Sequence, residues 1–193
     1  MGMPARAQQR WTAQAVRQLI ADAPLSSPRY ELVDGELLVT PSSGPLHQEA
    51  AKLLLIVLDE YCRTNVAVHA LHSPSDIELI PDDIRQPDVF VLPAAEWIRV
   101  RREGFPAREL VLAVEVVSPS SARIDRVIKR PVYQERAREY WIVDIDARII
   151  ERWRPGDARP EVVTERLEWA PEACEPPFVL DLEDFFRKVW SGA

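Results

Sequence analysis

The strongest constraint on the fold is a short, almost purely aliphatic run, ELVLAVEVVS, at residues 109–118. Its length and β-branched residues are typical of a strand in the core of a sheet. Further β-prone runs lie on either side of it, separated by Pro, Asp or Gly, which favour turns. These runs are VAVHAL, SDIELI and PDVFVL before it, and EYWIVDID, RIIERWR and EVVTERL after it. Together they predict one central sheet.

Helical spacing of apolar residues appears between and beyond these runs. The pattern predicts an N-terminal helix over Trp11–Ile20, a linker at Pro24–Pro28, and a β-hairpin that turns at Asp34-Gly35. A long amphipathic helix is predicted within PSSGPLHQEAAKLLLIVLDEYC, a second helix kinked at Pro131, and a C-terminal helix at LEDFFRKVW. Residues 92–110 are polar and rich in Arg, which favours an irregular excursion with no more than one helical turn.

The predicted fold is α/β (α+β), with a central mixed β-sheet flanked by helices and an N-terminal β-hairpin. A chain of 193 residues suits one domain, which we place at residues 29–193, with an N-terminal helix and linker at residues 1–28. The chain has 17 prolines but only 6 glycines, and neither GxGxxG nor GxxxxGK[ST] occurs. Glycine-rich phosphate loops are therefore not expected.

Several features predict a cytoplasmic protein. The first twenty residues lack the apolar core of a secretory signal, and no uncharged run approaches the roughly 20 residues of a membrane-spanning helix. Cys62 and Cys174 form no CxxC pair, which fits reduced packing residues. The net charge of -7 alone argues against nonspecific binding to nucleic acid.

Two carboxylates occur where the pattern is otherwise apolar. Glu115 interrupts the aliphatic run, and Asp88 follows Pro87 at the start of VFVL. A buried carboxylate needs a partner, which is either an Arg in a salt bridge or a cation held by both carboxylates. The remaining alternative is that each carboxylate is exposed at a strand end. Oxygen ligands select Mg²⁺, Mn²⁺ or Ca²⁺, and Mg²⁺ suits phosphate chemistry. Asp125 and Lys129 are four residues apart and therefore share a helix face. Lys129 either supplies a positive charge beside such a metal or forms a surface pair with Asp125.

These residues also stand in an ordered set of motifs. QPDVFVL, VLAVEVVSPSS, the trio Asp125, Lys129 and Tyr133, and EYWIVD resemble the Uma-two family of restriction-endonuclease-like proteins, within the PD-(D/E)XK nuclease superfamily. The upstream segments YELVDGELL and HQEAAKLL are similar to the usual opening of that family. The resemblance extends from about Tyr30 to Phe186 and implies a restriction-endonuclease-like core.

The resemblance also implies a set of site residues. Asp88, Glu115 and the backbone carbonyl of Val116 would be the metal ligands, and Mg²⁺ or Mn²⁺ the cofactor. Val117 stands where the superfamily has a lysine, so Lys129 from the next helix would replace it as the third catalytic residue. The accessory residues implied are Glu36, His47 and Asp125, with Asp76 or Glu36 as an outer carboxylate for a second metal. YQERAREYW departs from the family by a turn that is one residue shorter and lacks Gly.

The charge of the chain is unevenly distributed. Residues 97–138 hold ten Lys or Arg and five Asp or Glu, a net of +5, so the remainder carries -12. This concentration favours phosphate binding around the predicted site, with DNA as the partner and Arg123, Arg126 and Arg130 as its contacts. The alternative is a solvated basic helix face. A homodimer is a further expectation, because nucleases that cut both strands are commonly dimers.

Three functions remain open from the sequence. The joint presence of Asp88, Glu115 and Lys129 favours a Mg²⁺-dependent DNA endonuclease. The acidic net charge and Val117 favour a catalytically silent module of the same fold that binds nucleic acid or a protein. A small-molecule phosphohydrolase would need a deeper pocket and ranks last. His69 and His72 are expected to be packing or solvent-facing residues, because their spacing does not suit two ligands on one strand face.

Overall fold

The computed structural model describes residues 10–23, 28–118, 121–171 and 174–192. Its α-helices are α1 (Ala13–Asp22), α2 (Pro45–Thr64), α3 (Ala94–Glu103), α4 (Arg130–Arg136) and α5 (Leu182–Ser191). The strands are β1 (Arg29–Val33), β2 (Glu36–Thr40), β3 (Val68–His72), β4 (Val89–Pro93), β5 (Leu110–Val117), β6 (Ala137–Asp144), β7 (Ile149–Trp153), β8 (Glu161–Val163), β9 (Arg166–Trp169) and β10 (Phe178–Asp181). Most of the predicted linker lies outside the described residues.

A six-stranded sheet in the order β3-β4-β5-β6-β7-β8 forms the centre of the fold. β5 pairs antiparallel with β4 and parallel with β6, so the sheet is mixed, as predicted. All eight residues of β5 are buried, because helices cover both faces of the sheet at this strand. The prediction of a mixed α/β fold around this aliphatic strand is confirmed.

Alternate residues of β5 enter two hydrophobic clusters. Leu112, Val114 and Val116 pack with α2, α5 and the β9-β10 pair. Ala113 and Val117 face the other way, towards α3 and α4. Glu115 shares the parity of Ala113 and Val117, so its side chain enters the α4 side of the core.

The N-terminal hairpin is tethered to the segment before β4. Asp34 and Gly35 turn the β1-β2 hairpin with φ of 52° and 79°, as the dipeptide predicts. Leu32 and Ile84 exchange two backbone hydrogen bonds of 2.8 Å, and both pack against α1 in a small cluster of their own. This tether brings β1 alongside the segment that leads to Asp88.

Three sequence predictions need correction. Residues 94–103 form the helix α3 and not an irregular excursion. Arg99 pairs with Glu96 and Glu103 along this helix, and Val100 packs into the core, contacts that the spacing of apolar residues does not reveal. The SDIELI segment forms only isolated bridges through Ile77. EVVTERL divides into β8 and β9, and β10 was not predicted.

In place of one continuous α-helix around Pro131, the chain forms a π-helical segment over Ile124–Lys129 that continues directly into α4. Pro131 has no N–H to donate to the preceding turn. The Arg130 N–H reaches back to the Asp125 carbonyl, and the Arg130 side chain donates to the Arg126 carbonyl at 3.0 Å. The wider turn sets the direction of Asp125 and Lys129.

Among the helices of the described residues, none has both the length and the apolar character that crossing a membrane requires.

Candidate active site

Asp88 and Glu115 lie side by side at one end of the central sheet. Val89 pairs with Val114 in the β4-β5 register, so Asp88 comes opposite Glu115. Opposed residues of antiparallel strands point to the same face. Both carboxylates are buried, with relative exposures of 6% and 2%, and both line one cleft of about 340 Å³.

Asp88 is held by donors on both of its oxygens. Arg29 Nη1 lies 2.7 Å from Oδ1, while His47 Nε2 at 3.0 Å and the Val116 N–H at 2.8 Å approach Oδ2. Burial acts to raise the pKa of Asp88, but His47, Arg29 and the Val116 N–H outweigh it and bring the pKa below its ordinary value. The sequence alternative of an Arg salt bridge is thus present at this carboxylate.

Lys129 projects from the π-helical segment into the same cluster, and only 3% of its surface is exposed. Its ammonium lies 2.8 Å from Glu31 Oε2, 3.0 Å from Glu115 Oε1 and 3.5 Å from Asp125 Oδ1. Burial acts to lower the pKa of Lys129, but these carboxylates raise it above its ordinary value. The interpretation of Asp125 and Lys129 as a surface pair is therefore wrong.

One ammonium cannot neutralise three carboxylates. Burial raises the pKa of Glu115 well above its ordinary value, against the attraction of Lys129 and with the repulsion of Asp125. Burial likewise raises the pKa of Asp125. The Tyr133 hydroxyl donates to Glu115 Oε1 at 3.5 Å. Burial raises the pKa of Tyr133, so its hydroxyl keeps its proton.

The donor set fits a divalent cation. The cluster contains four carboxylates, Glu31, Asp88, Glu115 and Asp125. Among the residues that the structure describes, Arg29 and Lys129 are the only Arg or Lys side chains that form ion pairs with them. Within the described ranges, no three His, Cys, Asp or Glu side chains are arranged to hold a metal ion unaided. Mg²⁺ requires less, because it binds through one or two carboxylates and completes its shell with water and phosphate.

The other predicted residues divide into two groups. His47 and Asp125 line the cleft, whereas Glu36 is exposed on β2 and Asp76 binds Gln86 at 2.9 Å. Arg123 is exposed.

Two predicted DNA contacts are already engaged elsewhere. Arg126 pairs with Asp144 at 2.8 Å and Glu151 at 2.7 Å. Arg130 donates to Gln134, and its guanidinium lies 4.5 Å from the centre of the Trp153 ring. These contacts direct both arginines towards β6 and β7, so the structure does not bring them to the cleft.

Two residues of the site, Arg29 and Glu31, were not predicted from the sequence. Both belong to β1 and share one face of it, since they are two residues apart. Glu31 is fully buried, and its Oε1 accepts the Gln86 N–H at 2.8 Å. A detectable signal existed, because Glu31 interrupts a β-prone run just as Glu115 does.

A buried arginine supports the cluster from behind. Arg85 donates to the Lys129 carbonyl at 3.0 Å, pairs with Asp83, and lies 5.4 Å from the centre of the Tyr133 ring. It thereby orients the backbone that carries Lys129 and the ring that reaches Glu115.

The remaining histidines and cysteines lie outside the carboxylate cluster. His69 stacks on Trp97 with 4.0 Å between ring centres, and His72 Nδ1 lies 2.6 Å from the Ser73 carbonyl. Cys62 and Cys174 are both free and buried.

Comparison with known proteins bears on the fold and the family of the chain. A solved structure from Anabaena variabilis, described as "a putative nuclease belonging to DUF820", superposes with a TM-score of 0.71 at 17% sequence identity. The match covers 88% of this chain and 96% of that one, which confirms the predicted nuclease-like core fold. No curated protein sequence matches the chain. The Uma2 family model, described as "Putative restriction endonuclease", matches residues 16–189, and the chain therefore belongs to the Uma2 family.

Proposed function

We propose that this protein is a Mg²⁺-dependent endonuclease that hydrolyses DNA phosphodiester bonds, with Mn²⁺ as an effective substitute. The observation that carries the proposal is the placement of Lys129, whose ammonium lies 3.0 Å from Glu115 in a cleft that Asp88 also lines. Lys129, from the helical segment after β5, would thus supply the positive charge of the superfamily lysine that Val117 replaces. Family membership and the shared fold support a nuclease.

Asp88, Glu115 and the carbonyl of Val116 would hold the ion. When bound, Mg²⁺ supplies an acidified water and offsets the charge that develops on the phosphoryl group. With all four carboxylates ionised, the cluster has two more negative than positive charges, which favours such an ion. The Val116 N–H keeps Asp88 Oδ2 fixed at the strand end, and Tyr133 fixes Glu115 from the core side.

Lys129 has the role of a fixed cation and not of a base. Its raised pKa keeps the ammonium protonated at neutral pH, so it can donate to a phosphate oxygen or orient the attacking water. Asp125 lines the same cleft and is not one of the proposed metal ligands, which leaves its carboxylate to take up a proton from that water. We assign proton acceptance to Asp125.

Cleavage of plasmid DNA and labelled oligonucleotides with and without Mg²⁺ or Mn²⁺ tests this function. Asp88→Ala, Glu115→Ala and Lys129→Ala should each lower cleavage at least about a hundredfold, as loss of a central charged group does. Asp184→Ala, an exposed carboxylate on α5, serves as the matched control and should cleave like the wild type. Wild-type rates in all three variants would refute the assigned site.

The second candidate is a catalytically silent binding module of the same fold. The specific observation in its favour is that Arg29, His47 and the Val116 N–H already engage both oxygens of Asp88. This function predicts no cleavage of any nucleic acid by the wild type, together with a melting temperature that rises when a divalent ion is added.

A further inference from the structure

The cleft continues past Asp88 into a second lobe beside α2. This α2 lobe has a volume of about 480 Å³ and shares a junction with the cleft of Glu115 and Lys129. The junction residues are Arg29, Pro41, Ser42, Ser43, His47 and Asp88. Whatever occupies the α2 lobe is therefore adjacent to the group bound at Asp88.

The lining of the α2 lobe combines apolar surface with polar edges. Ala51 and Leu55 belong to one face of α2, and Pro41 and Pro74 add apolar surface from two loops. Polar groups come from the exposed side chains Gln48, Lys52 and His72. Lys52 pairs with Glu49 on the surface, and pairs of this kind hold their partners weakly. Apolar surface with a few polar groups is typical of small-molecule sites.

The occupant must suit this chemistry and the neighbouring phosphate site. A nucleoside has apolar faces and polar edges, and it is joined covalently to the phosphate that would be bound at Asp88. In a duplex, each base is stacked and paired, so it enters a side pocket only after it is unstacked at a cost of a few kcal/mol. A single strand presents its bases without that cost.

We propose that the α2 lobe binds an unstacked nucleoside next to the scissile phosphate, and that the preferred substrate is single-stranded DNA. This inference rests on the proposed nuclease function and adds a substrate class to it. The burial of the site also favours a single strand over a duplex, because Asp88, Glu115 and Lys129 are nearly inaccessible at the bottom of the cleft.

A pair of tryptophan variants on α2 tests the lobe. Ala51→Trp fills it, whereas Ile56→Trp places the same side chain on an exposed position of the same helix, where Ile56 is 52% exposed. Fluorescence anisotropy with a labelled single strand, in Ca²⁺ to suppress cleavage, measures binding. Ala51→Trp should bind about tenfold more weakly, as expected when one base contact is lost, and Ile56→Trp within twofold of the wild type. Equal effects of the two variants would overturn the proposal.

A second measurement needs no variant. Wild-type cleavage of a single strand should fall about tenfold when the nucleotide beside the cleaved bond lacks its base, that is, when it is an abasic site. Duplex cleavage as fast as that of the single strand would overturn the lobe assignment and leave the nuclease function intact. Binding of single strands that depends on Ala51, without cleavage in Mg²⁺ or Mn²⁺, would instead refute the nuclease function and support the lobe.

Discussion

Lys129 is one ammonium group shared by three buried carboxylates, Glu31, Glu115 and Asp125. Removing one partner of a buried ionic cluster is much more damaging than removing a surface pair, because the remaining charges lose their compensation. Lys129→Met keeps the volume of the side chain and removes the charge. It should lower the free energy of unfolding by about 3–5 kcal/mol at neutral pH. Lys188→Met, which removes an exposed pair with Asp184 on α5, should change the free energy of unfolding by no more than about 0.5 kcal/mol.

The destabilisation by Lys129→Met should depend on pH. A carboxyl whose folded-state pKa is raised, as for Glu115 and Asp125, contributes its full stability below its unfolded pKa and loses it as the pH rises through the folded pKa. Without the ammonium these pKa values rise further. Urea unfolding should therefore show a larger deficit at pH 8 than at pH 5. A deficit independent of pH would contradict the shared-ammonium account.

Arg29 is the residue that competes most directly with a metal ion. Its Nη1 lies 2.7 Å from Oδ1 of Asp88, which is a proposed ligand. Arg29→Met removes this cation and should raise Mn²⁺ affinity about tenfold, since one unit charge a few ångströms away is worth at least 1.4 kcal/mol in a half-buried site. Electron paramagnetic resonance of free Mn²⁺ measures this directly. Arg17→Met, which breaks a pair with Glu78, should leave the affinity unchanged. Weaker Mn²⁺ binding in Arg29→Met would rule out competition.

At the scale of elements, the hairpin supplies Arg29 and Glu31 to the cluster and is tethered to Ile84. Ile84→Ala leaves a cavity in the small cluster with Val16 and Leu32 and should cost about 2–5 kcal/mol. Hydrogen exchange should show reduced protection of the Leu32 amide, which bonds to the Ile84 carbonyl. Ile98→Ala, at an exposed position of α3, should change neither quantity. Unchanged protection in Ile84→Ala would show that the tether does not hold β1.

The elements differ in how well the sequence predicts them, and for physical reasons. β5 and the hairpin turn follow from local patterns: an aliphatic run, and a dipeptide that accepts positive φ. The helix α3 does not, because its stability depends on pairs of charges and on packing of a few residues such as Val100. The π-helical turn before Pro131 also escapes prediction, since only the folded environment shows which carbonyls receive donors.

At the scale of the whole molecule, the sequence predicts the site in part. Asp88, Glu115 and Lys129 meet because strand register and the following helix converge at one sheet end, which the motif order implies. Arg29 and Glu31 come from the distant hairpin, and local sequence could not place them there. The charge pattern of residues 97–138 predicts DNA contacts at Arg126 and Arg130, but Arg126 pairs with Glu151 of β7 and Arg130 lies over the Trp153 ring.

The most direct test of the central claim is a crystal structure of the wild-type protein soaked in Mn²⁺ and recorded near the manganese absorption edge. We expect an anomalous peak between Asp88 and Glu115, within coordination distance of the Val116 carbonyl, and the Arg29 guanidinium displaced from Asp88. An empty map at this position, with Arg29 still bound to Asp88, would contradict a metal-dependent active site in this cleft.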